Sequence, residues 1–211
     1  MVTKRKEWAT TIRDMEIFTE AKGQATFKVR KQLVIDEKAS LEKLGVVEYS
    51  DLVKRLEENS LPLEIRGEYI HIQLPQYSVP GHISQIFYEV QLRGYIPIIV
   101  NAEQNSEFKR NPDKLYDLVT KGALVQIEEE SLIGGNGKGT RKLAVKLCRH
   151  RLVHVISPEA GVLKGKPYLS KSVHAYLQKK VASKFPDYLK TNANHILEST
   201  PFHPETPIRI C

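Results

Sequence analysis

From residue 69 onward the chain alternates between two hydrophobic periods. "YIHIQL" (69–74) places apolar and polar residues in turn, as a strand with one covered face does. "SVPGHISQIFYEVQLRG" then sets Ile83, Ile86, Phe87 and Val90 at helical spacing and stops at Gly94. "YIPIIV" (95–100) is a continuous apolar run, the mark of a strand buried on both faces. A helix over "NPDKLYDLVTKG" (111–122), the strand "ALVQIE" (123–128), a helix over "KGTRKLAVKLCRH" (138–150) and the strand "LVHVIS" (152–157) follow. A longer helix is predicted through "SKSVHAYLQKKVASKF" (170–185), then a last helical piece, "PDYLKTNANHILES", and a proline-bearing tail. Strands separated by single helices in this rhythm predict βα units and a parallel sheet, because a crossover helix is how parallel neighbours are joined. The pattern fits an open sheet and a closed barrel equally.

The first 66 residues carry weaker signals. "EWATTIRDMEIF" puts Trp8, Ile12, Met15 and Phe18 on one helical face, "TFKVRKQLVI" reads as a strand, and "YSDLVKRLEEN" as a short helix capped by Ser50. Two regions are therefore expected, a divergent one over 1–66 and the βα units over 67–211.

Composition adds one asymmetry. The formal net charge of +7 is concentrated late: residues 131–211 hold 14 Lys+Arg against 4 Asp+Glu, whereas the rest holds 18 against 21. A basic carboxyl-terminal part suits an acidic protein, nucleic acid or an anionic lipid surface; a solvated basic face is the plain alternative. No apolar run approaches the roughly 18–20 residues that span a bilayer, and the start lacks the apolar core of a secretory signal. A cytoplasmic protein without membrane contact is expected. Cys148 and Cys211 suit neither a disulfide framework nor a metal spacing and read as free thiols.

"SLIGGNGKGTRKLAVKL" (131–147) resembles a phosphate cradle, but Gly139 separates Lys138 from Thr140, so the hydroxyl that would hold magnesium is out of register. Glu128, Glu129 and Glu130 lie just ahead and would repel the anion. A flexible entry to a helix is the better reading.

The phrases "FYEVQLRGYIPII", "NPDKLYDLVTKGA" and "SL" followed by "G" and "GK" carry a resemblance from about Glu68 to Leu197. The chain resembles the PHP-type (polymerase and histidinol phosphatase) tyrosine phosphatases of capsule and exopolysaccharide operons in Gram-positive bacteria. The resemblance implies an α/β fold, a PHP-like distorted (β/α) barrel with its site at the carboxyl ends of the strands, and a turn at Ser131 to Lys138. It also implies where chemistry should lie, and there the chain departs. The family's His-Pro-Glu-Arg motif, which supplies a metal-binding histidine and a phosphate-binding arginine, reads Asn101, Ala102, Glu103, Gln104. Its Ser-Asp-Ala-His motif, with two metal ligands, reads Pro158, Glu159, Ala160, Gly161. A later phosphate-contacting arginine corresponds to Lys166, and no His-x-His pair occurs. If "KGQATF" matches the family's Gly-Gln-Glu, Ala25 stands in place of the metal-bridging Glu; only 22 residues precede Gly23, implying an amino-terminal part truncated or rebuilt.

Such phosphatases need converging imidazoles and carboxylates to hold the metals that generate hydroxide. One carboxylate, Glu159, does not make a cluster, and His71, His150 and His154 read as ordinary polar or satisfied histidines. The expectation is a catalytically inactive relative with no cofactor and no bound metal, whose basic residues Lys138, Lys142, Lys164 and Lys166 meet an acidic or phosphorylated protein. Two rivals stand beside it: a hydrolase rebuilt around Glu103, Glu159 and His154, and a nucleic-acid-binding protein. The sequence gives no number of subunits.

Overall fold

The computed structural model describes residues 46–61, 69–157 and 169–210. They form a five-stranded sheet and eight helices. The strands are β1 (Val47–Glu48), β2 (Tyr69–Gln73), β3 (Ile96–Val100), β4 (Leu124–Glu128) and β5 (Val155–Ser157). Every neighbouring pair is parallel, and the order across the sheet is the order along the chain. A doubly wound sheet reverses its order at a switch point; this one does not, so right-handed crossovers stack their helices on a single face. Among the described strands β1 and β5 are the edges, and the sheet is not seen to close.

Helix α1 (Tyr49–Glu57) joins β1 to β2, and α2 (Ile83–Leu92) joins β2 to β3. Helices α3 (Ser106–Arg110) and α4 (Asp113–Thr120) lie between β3 and β4, and α5 (Glu129–Ile133) and α6 (Lys138–Arg149) between β4 and β5. Helices α7 (Lys171–Lys180) and α8 (Phe185–Leu197) complete the fold. Of residues 47–57, which the sequence pattern grouped with the amino-terminal region, Val47 and Glu48 pair with β2, and Tyr49 and Leu52 are buried in the main core.

Strand alternation divides the sheet into two faces. Ile70, Ile72, Ile99, Val125, Ile127 and Ile156 join the main core, which also holds Phe87 and Val90 of α2, Leu115 of α4 and Leu147 of α6. The opposite face has two halves. Toward the amino ends Tyr69, Ile98, Leu124 and Val155 pack with Ala193 and Ile196 of α8, and Phe202 joins them. This cover is pinned by Tyr69 donating to the Thr200 carbonyl at 2.8 Å and by Asn192 donating to the His154 carbonyl at 2.9 Å. Toward the carboxyl ends the same register brings His71, Gln73, Gln126, Glu128 and Ser157, so this face turns from apolar to polar along the strands.

Several boundaries differ from the sequence expectation. Ser50 does not cap α1: Glu48 holds the N-cap position without a side-chain bond, and Ser50 sits exposed in the first turn. Glu129 and Glu130, just ahead of the glycines as the sequence places them, open a short helix, α5, that the sequence pattern did not predict; the turn that follows is confined to residues 134–137. Its conformation explains the glycines. Gly134 and Gly137 have φ of +102° and +91°, a left-handed region that side chains with a Cβ avoid. The long helix predicted over 170–185 ends at Lys180, and Phe185 and Pro186 start α8 instead. The signals on residues 1–45, among them the Trp8 face and Ala25, lie outside the described residues.

Candidate functional site at the carboxyl ends of the strands

Chain direction places the ends of β2 and β3 side by side, and a pocket of about 230 Å³ opens there. Its polar lining consists of Gln73, Gln76, Asn101, Gln104 and Asn105; Leu74, Val100 and Phe108 contribute apolar walls. Among the described residues no charged side chain lines it.

Asn105 is fully engaged in building the rim. Its carbonyl oxygen accepts from the Glu107 and Phe108 amides at 2.9 and 3.0 Å, capping α3. Its amide nitrogen donates to the Pro75 and Ser78 carbonyls at 2.8 and 3.2 Å. The Ser106 amide donates to Gln76, and the Glu107 carboxylate accepts from the Val79 amide and pairs with Lys114. The loop after β2 is thereby strapped to the loop after β3. Neither α3 nor this cap belonged to the expected elements, although an Asn directly before "SEF" is a usable N-cap signal.

The family-motif positions separate sharply. Asn101 and Gln104 line the pocket, but Glu103 does not. Fully buried, Glu103 accepts from the Ser131 hydroxyl at 2.6 Å and the Glu128 amide at 3.0 Å, tying the β3 end to the β4–α5 junction. Burial outweighs these bonds and pushes its carboxyl up to about 7. Around it, Gln104 and Asn136 both donate to Glu128, at 2.7 and 2.8 Å, and Asn136 also reaches Ser131 at 3.0 Å. Glu103 is thus a structural brace. Cys148, a free thiol as expected, is buried, and burial pushes its pKa up further than any other cause, with the Glu103 charge adding to the shift.

His154 lies elsewhere. Its Nδ1 accepts from the Val125 amide at 3.0 Å, and the His154 amide donates back to the Val125 carbonyl. Val125 is three residues, about 10 Å of strand, from the Glu128 amide that Glu103 holds. Glu103 and His154 thus engage different stretches of β4, and Glu159, the third residue expected with them, lies outside the described residues, as do Pro158, Gly161, Lys164 and Lys166. His150 Nδ1 lies 3.1 Å from the Arg209 carbonyl. Both His71 and His154 are buried, and burial lowers each imidazole to about 4, so both are neutral near pH 7. Each keeps a buried Nε2 without a partner among the described residues.

The donor set does not suit catalytic metals. Hard or borderline cations need carboxylates and imidazoles converging on one point. The pocket offers neutral carboxamides, and among the described residues no group of three or more His, Cys, Asp and Glu side chains is placed to hold a metal ion.

A second surface brings Lys138 and Lys142 together. They line a groove of about 540 Å³ along α6, with Arg141, Lys146 and Arg149 on the same helix and Lys180 contributed by α7. Arg141 stacks 4.9 Å over the Tyr176 ring, and Arg149 Nε donates to the Lys180 carbonyl at 2.8 Å. None of these six cations pairs with a carboxylate among the described residues. The α6 cations follow from i, i+3 and i+4 spacing in the sequence, whereas Lys180 required the packing of α7. No described helix is long and apolar enough to cross a membrane.

The family model described as "Capsular polysaccharide synthesis, CpsB/CapC" matches residues 16–198. The chain is 35% identical over 140 residues to the tyrosine-protein phosphatase YwqE of Bacillus subtilis (strain 168), covering 66% of this chain and 55% of YwqE. It is 38% identical over 114 residues to the CapC protein of Staphylococcus aureus, covering 52% and 45%. The chain thus spans about half the length of these relatives. A solved structure from a study of YwqE and of CpsB from Streptococcus pneumoniae, described as unique metal-dependent tyrosine phosphatases, superposes with a TM-score of 0.67 at 32% identity, over 77% of this chain and 66% of the other.

Proposed function

Because the chain belongs to the CpsB/CapC capsular polysaccharide synthesis family, we propose that it is a catalytically inactive member that works by binding, with an acidic or phosphorylated protein segment docked along the α6–α7 groove. The observation that carries this reading is the replacement of converging ligands by neutral amides at the strand ends, Asn101 and Gln104 in the pocket and Glu103 turned into the interior. Without a metal-held hydroxide and charge on the phosphoryl oxygens, this scaffold has no means of splitting a phosphate ester. The consecutive order of five parallel strands supports the distorted barrel that the family resemblance implies.

The groove supports the binding half of the reading. Lys138, Lys142 and Lys146 follow one another at one-turn spacing, about 12 Å along the helix, with Lys180 across from them. Unpaired like charges at this density repel one another, and an anionic segment lying along them removes that repulsion. Lys164 and Lys166, also basic, complete the four residues first singled out for replacement.

The rival activity, a metal-dependent phosphatase, is favoured by the relatives: YwqE and CapC both carry tyrosine-protein phosphatase names, and the solved structure is described as metal-dependent. Elemental analysis of chain purified without chelators, followed by p-nitrophenyl phosphate turnover with manganese, decides between them: stoichiometric metal with turnover refutes the proposal. For binding, fluorescence anisotropy with a labelled poly-glutamate peptide is expected to show about tenfold weaker affinity when Lys138, Lys142, Lys146 and Lys180 become alanine, at roughly 0.2–1 kcal/mol per exposed pair. Unchanged affinity would exclude the groove. Tighter, steeply salt-dependent binding of a single-stranded oligonucleotide would move the assignment to nucleic acid.

A further inference from the structure

The strand-end pocket has a hydrogen-bonding character of its own, and its amide orientations are set by fixed neighbours. Gln73 Nε2 donates to the Leu74 carbonyl at 3.1 Å, which leaves Gln73 Oε1 to accept from Asn101 Nδ2 at 3.4 Å. Gln104 Nε2 donates to the Glu128 carboxylate, a group that only accepts. Among the described residues Asn101 Oδ1 and Gln104 Oε1 therefore have no partner, one N–H of each amide remains, and Gln76 makes no side-chain hydrogen bond. Asn101 also holds a left-handed backbone, φ +54°, at the end of β3. Strain of this kind on a non-glycine residue persists where the surroundings enforce it, commonly at ligand sites.

An anion would be held by these few amide N–H groups alone, with no cation in the lining and the Glu128 carboxylate one hydrogen bond behind Gln104. Carboxamides instead match groups that both donate and accept. The volume, below the roughly 300 Å³ where drug-sized sites begin, admits one small ring. We propose that the pocket between Gln73, Asn101 and Gln104 binds a neutral ligand bearing adjacent hydroxyl groups, a monosaccharide or cyclic polyol, in place of a phosphate ester. Like the proposed function, this inference starts from the missing ligands of the strand ends, but its test reads ligand contact and not turnover, so the two fail separately.

The test is saturation-transfer NMR on the full chain with D-glucose and with myo-inositol, and with phenyl phosphate as the anionic probe. Saturation of ring protons of glucose or inositol is expected, falling at least fivefold in Asn101→Gly and in Gln104→Leu. Asn101→Gly removes the amide while relieving the left-handed strain, so its fold is not at risk, and circular dichroism checks both variants. Contact by glucose alone or inositol alone supports the proposal and names the source. Saturation of neither, saturation that Asn101→Gly leaves intact, or a phenyl phosphate signal stronger than both overturns it.

Discussion

Replacing Glu103 by glutamine should change how stability depends on pH more than it changes stability at acid pH. Burial raises the folded-state pKa of Glu103 to about 7, against roughly 4.5 for an unhindered glutamate. Between these values the folded chain binds the proton that the unfolded chain has released. Stability contributed by this group is thus fully present below about pH 4.5 and is lost as pH rises through 7. Linkage between these two values gives a change of about 2–3 kcal/mol between pH 5 and pH 8. His71 and His154 act in the opposite sense below pH 6.5, because their folded pKa values are lowered to about 4. They are the same in both proteins and cancel in the difference. Urea unfolding of wild type and Glu103→Gln, followed by far-ultraviolet circular dichroism at pH 5 and pH 8, measures the quantity. The variant is expected to gain about 2–3 kcal/mol relative to wild type over that interval. A difference that stays constant within about 0.5 kcal/mol would mean that Glu103 is ionised in the fold, and the account of it as a protonated brace would be wrong.

Asn105→Ala removes two capping bonds to α3 and two bonds to the 75–78 loop, and is expected to lower unfolding free energy by about 2–3 kcal/mol in the same assay. Gly137→Ala meets no atom within 4 Å but is forced to φ +91°, so a loss of about 1–2 kcal/mol is expected from the backbone alone; Gly139→Ala, equally open and inside α6, should be neutral or stabilising by up to about 1 kcal/mol. Equal effects at the two glycines would refute the conformational reading of the turn.

The main strands and helices were legible because their periods are set by one covered face. Ile83, Phe87 and Val90 repeat as a helix, β3 is a continuous apolar run and β4 an apolar stretch broken at Gln126, so βα order and parallel pairing followed directly. The departures at Asn101 and Gln104 were equally visible, since they are matters of residue identity. Helix α3 was not read as an element because five residues carry too little periodicity, and its stability comes from Asn105 and from contacts with a loop thirty residues earlier.

The sequence by itself determined which side chains are available: no His-x-His, neutral amides at the third strand's end, and cations at one-turn spacing on α6. Tertiary structure alone decided what those groups do, because burial and neighbours are long-range properties. It set Glu103 against Ser131 and the Glu128 amide, raising its pKa, fixed His154 to Val125 well away from it, and carried Lys180 to the α6 groove. A carboxylate in water and one enclosed beside a hydroxyl are the same letter with different charge, and only the packing distinguishes them.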